Sequence, residues 1–335
     1  MSDSTTSNQE LTTESINIEN IPDETPDTSP TNPTVKLLPK KFAGLPVRQP
    51  AEIRQYKGLC IGMSGRGGVG KTTLSETIVN SPISHNVMFF DVEGGAFVLD
   101  DAEDKPGYVP AEGPHLGIVD ITEWSHVQLS MQYLIREHKK LGIHGAIWDN
   151  CAEVLELCKI KHNFYTTEKS KRLSLWDDIT NDMLTFFRDG RNLCRQEQFV
   201  MVFVMWDTDR LVDPSDQRSD HKRDIALSPK LAEKFMGIMD YVCWLETPPK
   251  PKPAHPPIMH FLDIDPAIPT KKRLNVKQQK MMGIPDVIYN PDLGDIINTV
   301  LGGMPWPTDK HTNTPSSKPL AQILQERKAN NGTTT

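Results

Sequence analysis

One stretch narrows what this chain can fold into more than any other: "GMSGRGGVGKTTLSE", residues 62–76. Gly65, Gly70, Lys71 and Thr72 keep the spacing GxxxxGK[ST], with an apolar run ("LCIGM") leading in and a helical pattern ("KTTLSETIV") leading out. Glycines so placed let successive main-chain N–H groups turn toward one point, and a Lys–Thr pair opening a helix sets an ammonium and a hydroxyl beside them. Such a cradle takes a polyphosphate. The expected binding set is Gly65, Arg66, Gly67, Gly68, Val69, Gly70, Lys71, Thr72 and Thr73, with Lys71 reaching the β and γ phosphates and Thr72 holding Mg²⁺. The expected ligand is ATP with Mg²⁺, and the loop belongs at the mouth of a mainly parallel sheet.

The remaining sequence agrees with that architecture. From residue 58 onward, short apolar runs alternate with helical periodicity, the βαβ pattern of a sheet flanked by helices. "NVMFFD", "LGIVDI", "IHGAIWD" and "QFVMVFVMW" read as strands, the last so uniformly apolar that it must be central. Residues 122–141, 151–165 and 175–194 read as helices; the first places Val127, Met131, Leu134, Ile135, His138 and Leu141 on one face. Ser228 before Pro229 reads as a cap and first turn for "PKLAEKFMGIM". "DYVCWLE", "IMHFLDI" and "KKRLNV" follow as strands closing the sheet with antiparallel pairings, around a protruding "TPPKPKPAHPP" loop.

Charge must be dissected before it is used. Of the net −7, residues 1–35 carry seven acids and no Lys or Arg, leaving 37 acidic and 37 basic residues in a neutral body. The expected organisation is a disordered acidic tail (1–35), a linker (36–57), one ATPase-type domain (58–302) and a flexible C-terminal tail (303–335). In the last, "PLAQILQERK" spaces Leu320, Ile323 and Leu324 as a short amphipathic helix, either a peptide for a protein partner or a marginal tail helix. Phe42 and Leu45 in the linker either cover their own domain or pack on a neighbouring copy. Five scattered cysteines without a CxxC pair argue for reduced, buried thiols, and neither a membrane span nor a secretory signal is present, so a cytoplasmic setting is expected.

A phosphate-bound metal needs an acid at a strand tip, and "GAIWDN" supplies Asp149; the competing reading is a cap for the next helix. A second acidic string, "FFDVEGG", follows the phosphate-loop helix. Its glutamate, Glu93, can accept a proton from water in line with the γ phosphate, or can simply close a turn with Gly94 and Gly95.

Two families carry loops close to this one. "GRGGVGKTT" is similar to the loop of partition and septum-positioning ATPases, but Arg66 stands where those have a signature lysine, and "FFDVEGG" is not their Asp-x-Asp-Pro-Gln string. An apolar strand ending in Asp-x-Glu-Gly resembles the RecA-like recombinases and related phage ATP-binding and single-strand annealing proteins. That resemblance spans about residues 58–301, with only the loop and "DVEGG" specific. It implies a RecA-like P-loop fold, a homo-oligomer with ATP between subunits, Lys71 and Glu93 as catalytic residues, Asp91 as a supporting polar residue, Thr72 and Asp149 as the Mg²⁺ ligands, and Lys277 as a basic residue reaching a neighbour's nucleotide.

The resemblance also implies two loops that touch single-stranded DNA. The first corresponds to "KIKHNFYTTEKSKRLSLW", where Lys159, Lys161, Lys169, Lys171 and Arg172 interleave with Phe164, Tyr165 and Trp176; a solvated helix end is the bland alternative. The second, "DTDRLVDPSDQRSDHKRD", offers Arg210, Arg218, Lys222 and Arg223 but more acids than bases, and reads as a mobile loop with Asp207 as a γ-phosphate sensor.

Overall fold

The computed structural model describes residues 41–42, 45–46, 57–96, 99, 116–211, 221–246, 257–261, 271–272 and 283–311. The chain forms two compact units, residues 1–50 and 51–335. In the first, β1 (Lys41–Phe42) and β2 (Leu45–Pro46) pair antiparallel as a small hairpin inside the span read as linker.

The second unit is built on a ten-stranded sheet. Its path runs from β5 (Leu116–Asp120) through β4 (Val87–Asp91), β6 (Gly145–Asp149), β7 (Val200–Leu211), β3 (Leu59–Gly65) and β9 (Tyr241–Glu246) to β10 (Ile258–His260) and β12 (Val287–Ile288). Pairings from β5 to β9 are parallel. Those of β10 with β9 and β12, of β11 (Lys271–Lys272) with β9, and of β8 (His221–Ile225) with β7 are antiparallel. This is the α/β architecture expected from the sequence, a sheet parallel at its centre and antiparallel toward the C-terminal side. The phosphate loop follows β3, Asp149 ends β6, and β7 lies between them.

Both faces of the sheet are covered, and β7 shows why its sequence lacks polar alternation. Met201, Phe203 and Met205 point into one core, while Val200, Val202 and Val204 point into the other. On the first face lie α2 (Trp124–Leu141), α3 (Cys151–Lys161), α4 (Arg172–Gln196) and α5 (Pro229–Ile238); on the second lie α1 (Lys71–Glu76) and α6 (Leu293–Val300). Each fully buried aliphatic or aromatic side chain here contributes about 1.5–3 kcal/mol relative to exposure. Trp148 shows the packing: it stacks on Phe90 at 4.2 Å and meets Phe186 edge-on at 4.9 Å. All five cysteines are free and buried, as their scatter suggested.

Several sequence expectations need correction. The α1 helix stops at Glu76 and tightens into a 3₁₀ turn, Thr77–Asn80, where the Thr77 hydroxyl donates to the Leu74 carbonyl and accepts from the Leu293 N–H. On α2 the buried stripe is Trp124, Val127, Met131, Leu134 and His138; Ile135 and Leu141 are exposed, since the stripe turns away from them. His138 serves packing, its ring edge-on to Phe199 with Nδ1 against the Leu134 carbonyl. Ser228 offers no side-chain cap, and α5 begins on Pro229 alone. The acid-rich segment after Trp206 is no simple loop: Asp207–Leu211 pair with His221–Ile225 in register, so its two halves form a hairpin. Residues 303–311, read as the start of a tail, are held by two buried side chains. Trp306 is buried and stacks on His311 at 4.5 Å, and His311 Nε2 lies 3.2 Å from Asp295 Oδ2. The "TPPKPKPAHPP" stretch (up to Pro256) and "PLAQILQERK" fall outside the described residues.

Candidate functional site

The loop geometry starts with β3, which runs between β7 and β9 until Gly65 lies opposite Trp206 and Leu245. A Cβ on Gly65 would come within 2.9 Å of Val69 Cγ1 and 3.1 Å of the Leu245 carbonyl oxygen, so a larger residue would have to displace its neighbours. Gly68 and Gly70 have φ of 73° and 94°, the left-handed region that other residues adopt at a cost. Arg66, Gly67 and Gly68 are exposed, and the space a Cβ would fill at Gly67 and Gly68 is open. Val69 is buried and anchors the loop, while Thr73 faces solvent.

Lys71 is buried, and its Nζ donates to the carbonyls of Gly65 at 3.0 Å and Arg66 at 2.9 Å. Burial lowers its pKa, while the carboxylates of Asp149, Glu93 and Asp207 act the other way. All three acids are therefore near enough to the loop lysine to act on its charge. The Thr72 hydroxyl donates to Asp149 Oδ2 at 2.5 Å. Burial pushes the Asp149 carboxyl up to about 6; the Thr72 bond opposes this, the Glu93 charge adds to it, and the Lys71 ammonium opposes it. A hydroxyl and a carboxylate in contact beside open glycine backbone form a hard-oxygen pair of the kind Mg²⁺ selects, so the residues present fit the ion and a polyphosphate.

Glu93 is exposed just past β4, and its Oε2 accepts from Asn150 Nδ2 at 2.6 Å. Asn150, fully buried and joined to Asp149 by a cis peptide, does two jobs with one amide. Its Oδ1 caps α3 by accepting from the N–H groups of Ala152 at 2.7 Å and Glu153 at 3.3 Å, and its Nδ2 holds Glu93. The helix-capping role weighed for Asp149 thus belongs to its neighbour. Nor does Glu93 close the turn after β4. That is done by Asp91, whose carboxylate accepts from the N–H groups of Gly94, Gly95 and Ala96 at 2.8, 3.1 and 2.9 Å. Sequence reading missed Asn150; the available signal was a small amide residue between a strand-ending acid and a helical run.

The basic residues proposed to contact a nucleic acid are placed less openly. Lys159 pairs with Glu156 at 2.5 Å and sits over the Trp176 ring at 5.4 Å. Lys161 pairs with Asp182 at 2.7 Å and Lys171 with Glu168 at 3.3 Å. Arg172 donates to the Thr167 and Tyr165 carbonyls and lies over Phe164. Lys169 sits in a 3₁₀ turn with no ion pair to a described residue. Phe164 packs edge-on against Trp176 and Tyr165, so the segment is held by its own contacts. Beside it a cleft of about 440 Å³ is lined by Trp176, Trp206, Lys159, Glu153 and Glu156. Asp207, next along β7, accepts from Trp244 Nε1 at 3.5 Å. Lys277 and Arg218 lie outside the described residues, as do the side chains of Arg210, Lys222 and Arg223.

No family model and no curated protein sequence matches this chain. Among solved structures it is similar to a KaiC-like protein from the hyperthermophilic archaeon Pyrococcus horikoshii OT3, at 14% identity and a TM-score of 0.35, over 65% of this chain and 83% of that one.

Proposed function

We propose that this chain is a RecA-like ATPase that hydrolyses MgATP and acts on single-stranded DNA as a homo-oligomer, in recombination, annealing or replication of the phage type. One observation carries the hydrolytic part of the reading. Asn150 Nδ2 donates to the exposed Glu93 carboxylate at 2.6 Å, and Asn150 directly follows Asp149, which accepts from the Thr72 hydroxyl, so one short segment ties Glu93 to the phosphate loop.

The steps follow from the residues. Main-chain N–H groups of 66–73 bind phosphate oxygens, and the Lys71 ammonium exchanges its carbonyl partners for the terminal phosphates. Thr72 and Asp149 would hold Mg²⁺, whose positive charge offsets that of the phosphates. Glu93, kept in one orientation by Asn150, accepts the proton of an attacking water. Lys277 of a neighbouring copy is our candidate for the remaining charge on the transferred group. The support for DNA is compositional: the cations and aromatic rings of residues 159–176 beside a cleft with two indoles on its wall.

The test is ATP hydrolysis by wild type and Glu93→Gln, with and without single-stranded DNA, across a salt series. We expect Glu93→Gln to keep ATP affinity and to lose turnover by roughly 10²–10⁴-fold. Stimulation by DNA should shrink as salt rises, because phosphate contacts release counterions. Unchanged turnover in Glu93→Gln would refute the hydrolytic assignment. An absence of stimulation at low salt would remove DNA and leave the ATPase standing.

A further inference from the structure

We propose that Cys158, His162 and Asp182 form a site for a zinc-class divalent cation, apart from the phosphate loop and independent of the nucleotide and DNA readings. Cys158 and His162 are four residues apart at the C-terminal end of α3, a spacing that stacks two side chains on one helix face. Asp182 comes from α4, which packs against it. One donor atom from each residue, a thiol sulfur, an imidazole nitrogen and a carboxylate oxygen, falls within 4.8 Å of the other two. Those are three of the ligand types zinc selects, and its bond lengths of about 2.0–2.3 Å put tetrahedral donors roughly 3.3–3.8 Å apart. Closing the present trio around an ion thus needs side-chain adjustments of about an ångström.

The existing contacts are consistent with that adjustment. His162 Nε2 already lies 2.9 Å from Asp182 Oδ2. Cys158 is buried, with only a long 3.9 Å approach of its Sγ to the Ile179 carbonyl. The competitor is Lys161, whose Nζ is 2.7 Å from the same Asp182 oxygen and 3.3 Å from His162 Nε2. Its side chain is 42% exposed, so it can swing into water when a dication takes the carboxylate. Three protein ligands leave a fourth position for water on the partly exposed His162–Asp182 side.

Binding replaces the thiol proton. The Cys158 thiol and a hydrated dication give a thiolate complex, and the thiol proton passes to solvent. The bound ion would pin the C-terminal end of α3 to α4 and so fix the start of residues 162–171, the segment joining the two helices. It would also free the ammonium of Lys161, the last residue of α3.

The experiment is a titration of the full chain with Co²⁺ and with Zn²⁺ in excess Mg²⁺, which occupies the oxygen-donor pair at Thr72 and Asp149. We expect one equivalent of Co²⁺ to give a thiolate-to-cobalt charge-transfer band that Zn²⁺ bleaches, with one proton released per ion. Cys158→Ser should abolish the band, and His162→Gln and Asp182→Asn should each weaken binding at least tenfold; the latter two positions are partly exposed and serve if the buried Cys158 variant does not fold. A wild-type protein without the band, or His162→Gln and Asp182→Asn variants that bind as tightly as wild type, would overturn the site.

Discussion

At the scale of single residues, the proposed site divides into groups that would touch a ligand and groups that would aim them. Asn150 belongs to the second kind. Replacing it with Asp puts a like charge against Glu93 and removes the donor that holds it. Asn150→Ala keeps neither the cap nor the hold, and should cost about 1 kcal/mol of stability through the lost α3 cap together with a fall in turnover. Melting curves and steady-state hydrolysis on the two variants separate those effects, because Asn150→Asp retains a capping oxygen. Asp149 supplies a pH signature. Its folded carboxyl is harder to ionise than its unfolded one, about 6 against an ordinary 3.8. The associated stabilisation is full below the lower value and disappears as pH rises through the upper one. The difference corresponds to about 3 kcal/mol. Asp149→Asn, which can still accept the Thr72 bond, should therefore flatten the decline in stability between pH 4 and 6 and melt higher than wild type at pH 7.5. Equal slopes in denaturant titrations across that range would contradict the assignment.

At the scale of elements, the sheet depends on one buried ion pair that composition did not reveal. Arg191 on α4 places Nη2 2.6 Å from Asp240 Oδ1 and donates Nε to the Ile238 carbonyl, while Asp240 Oδ2 accepts from the Cys60 N–H. The pair links a helix, the start of β9 and the strand that delivers the phosphate loop. Arg191→Met takes the guanidinium away from a fully buried carboxylate and should cost about 3–5 kcal/mol, read from urea unfolding. Much of the element plan was legible beforehand because β7, β3 and β6 are apolar on both sides and so announce a doubly covered parallel sheet. What stayed hidden depended on partners far along the chain. Ile135 looked interior on helical spacing alone, yet the sheet lies on the other side of that stripe. The 207–211 and 221–225 segments read as parts of a mobile, acid-rich loop, but their backbones pair across ten or more residues of sequence, which local charge does not reveal. The position of Asp149 at the end of β6 was legible because an acid closing an apolar strand stands out; Asn150 was not, because a buried amide reads like any helix cap.

At the scale of the whole molecule, the domain extends past residue 302. A chain truncated after 302 loses Trp306 from the core and His311 from Asp295, and should lose on the order of 3 kcal/mol of stability relative to one truncated after 311. Thermal melts of the two truncations measure this directly, and equal melting temperatures would mean that residues 303–311 contribute nothing. β7 has a consequence of the same reach. It is a single twelve-residue strand: its first seven residues lie alongside β3 in the sheet, and its last five run on into the hairpin with β8. There is no joint between those two parts. A load applied to the outer arm is borne by the same rod that flanks Gly65, so the arm cannot be tilted without straining the backbone beside the phosphate loop.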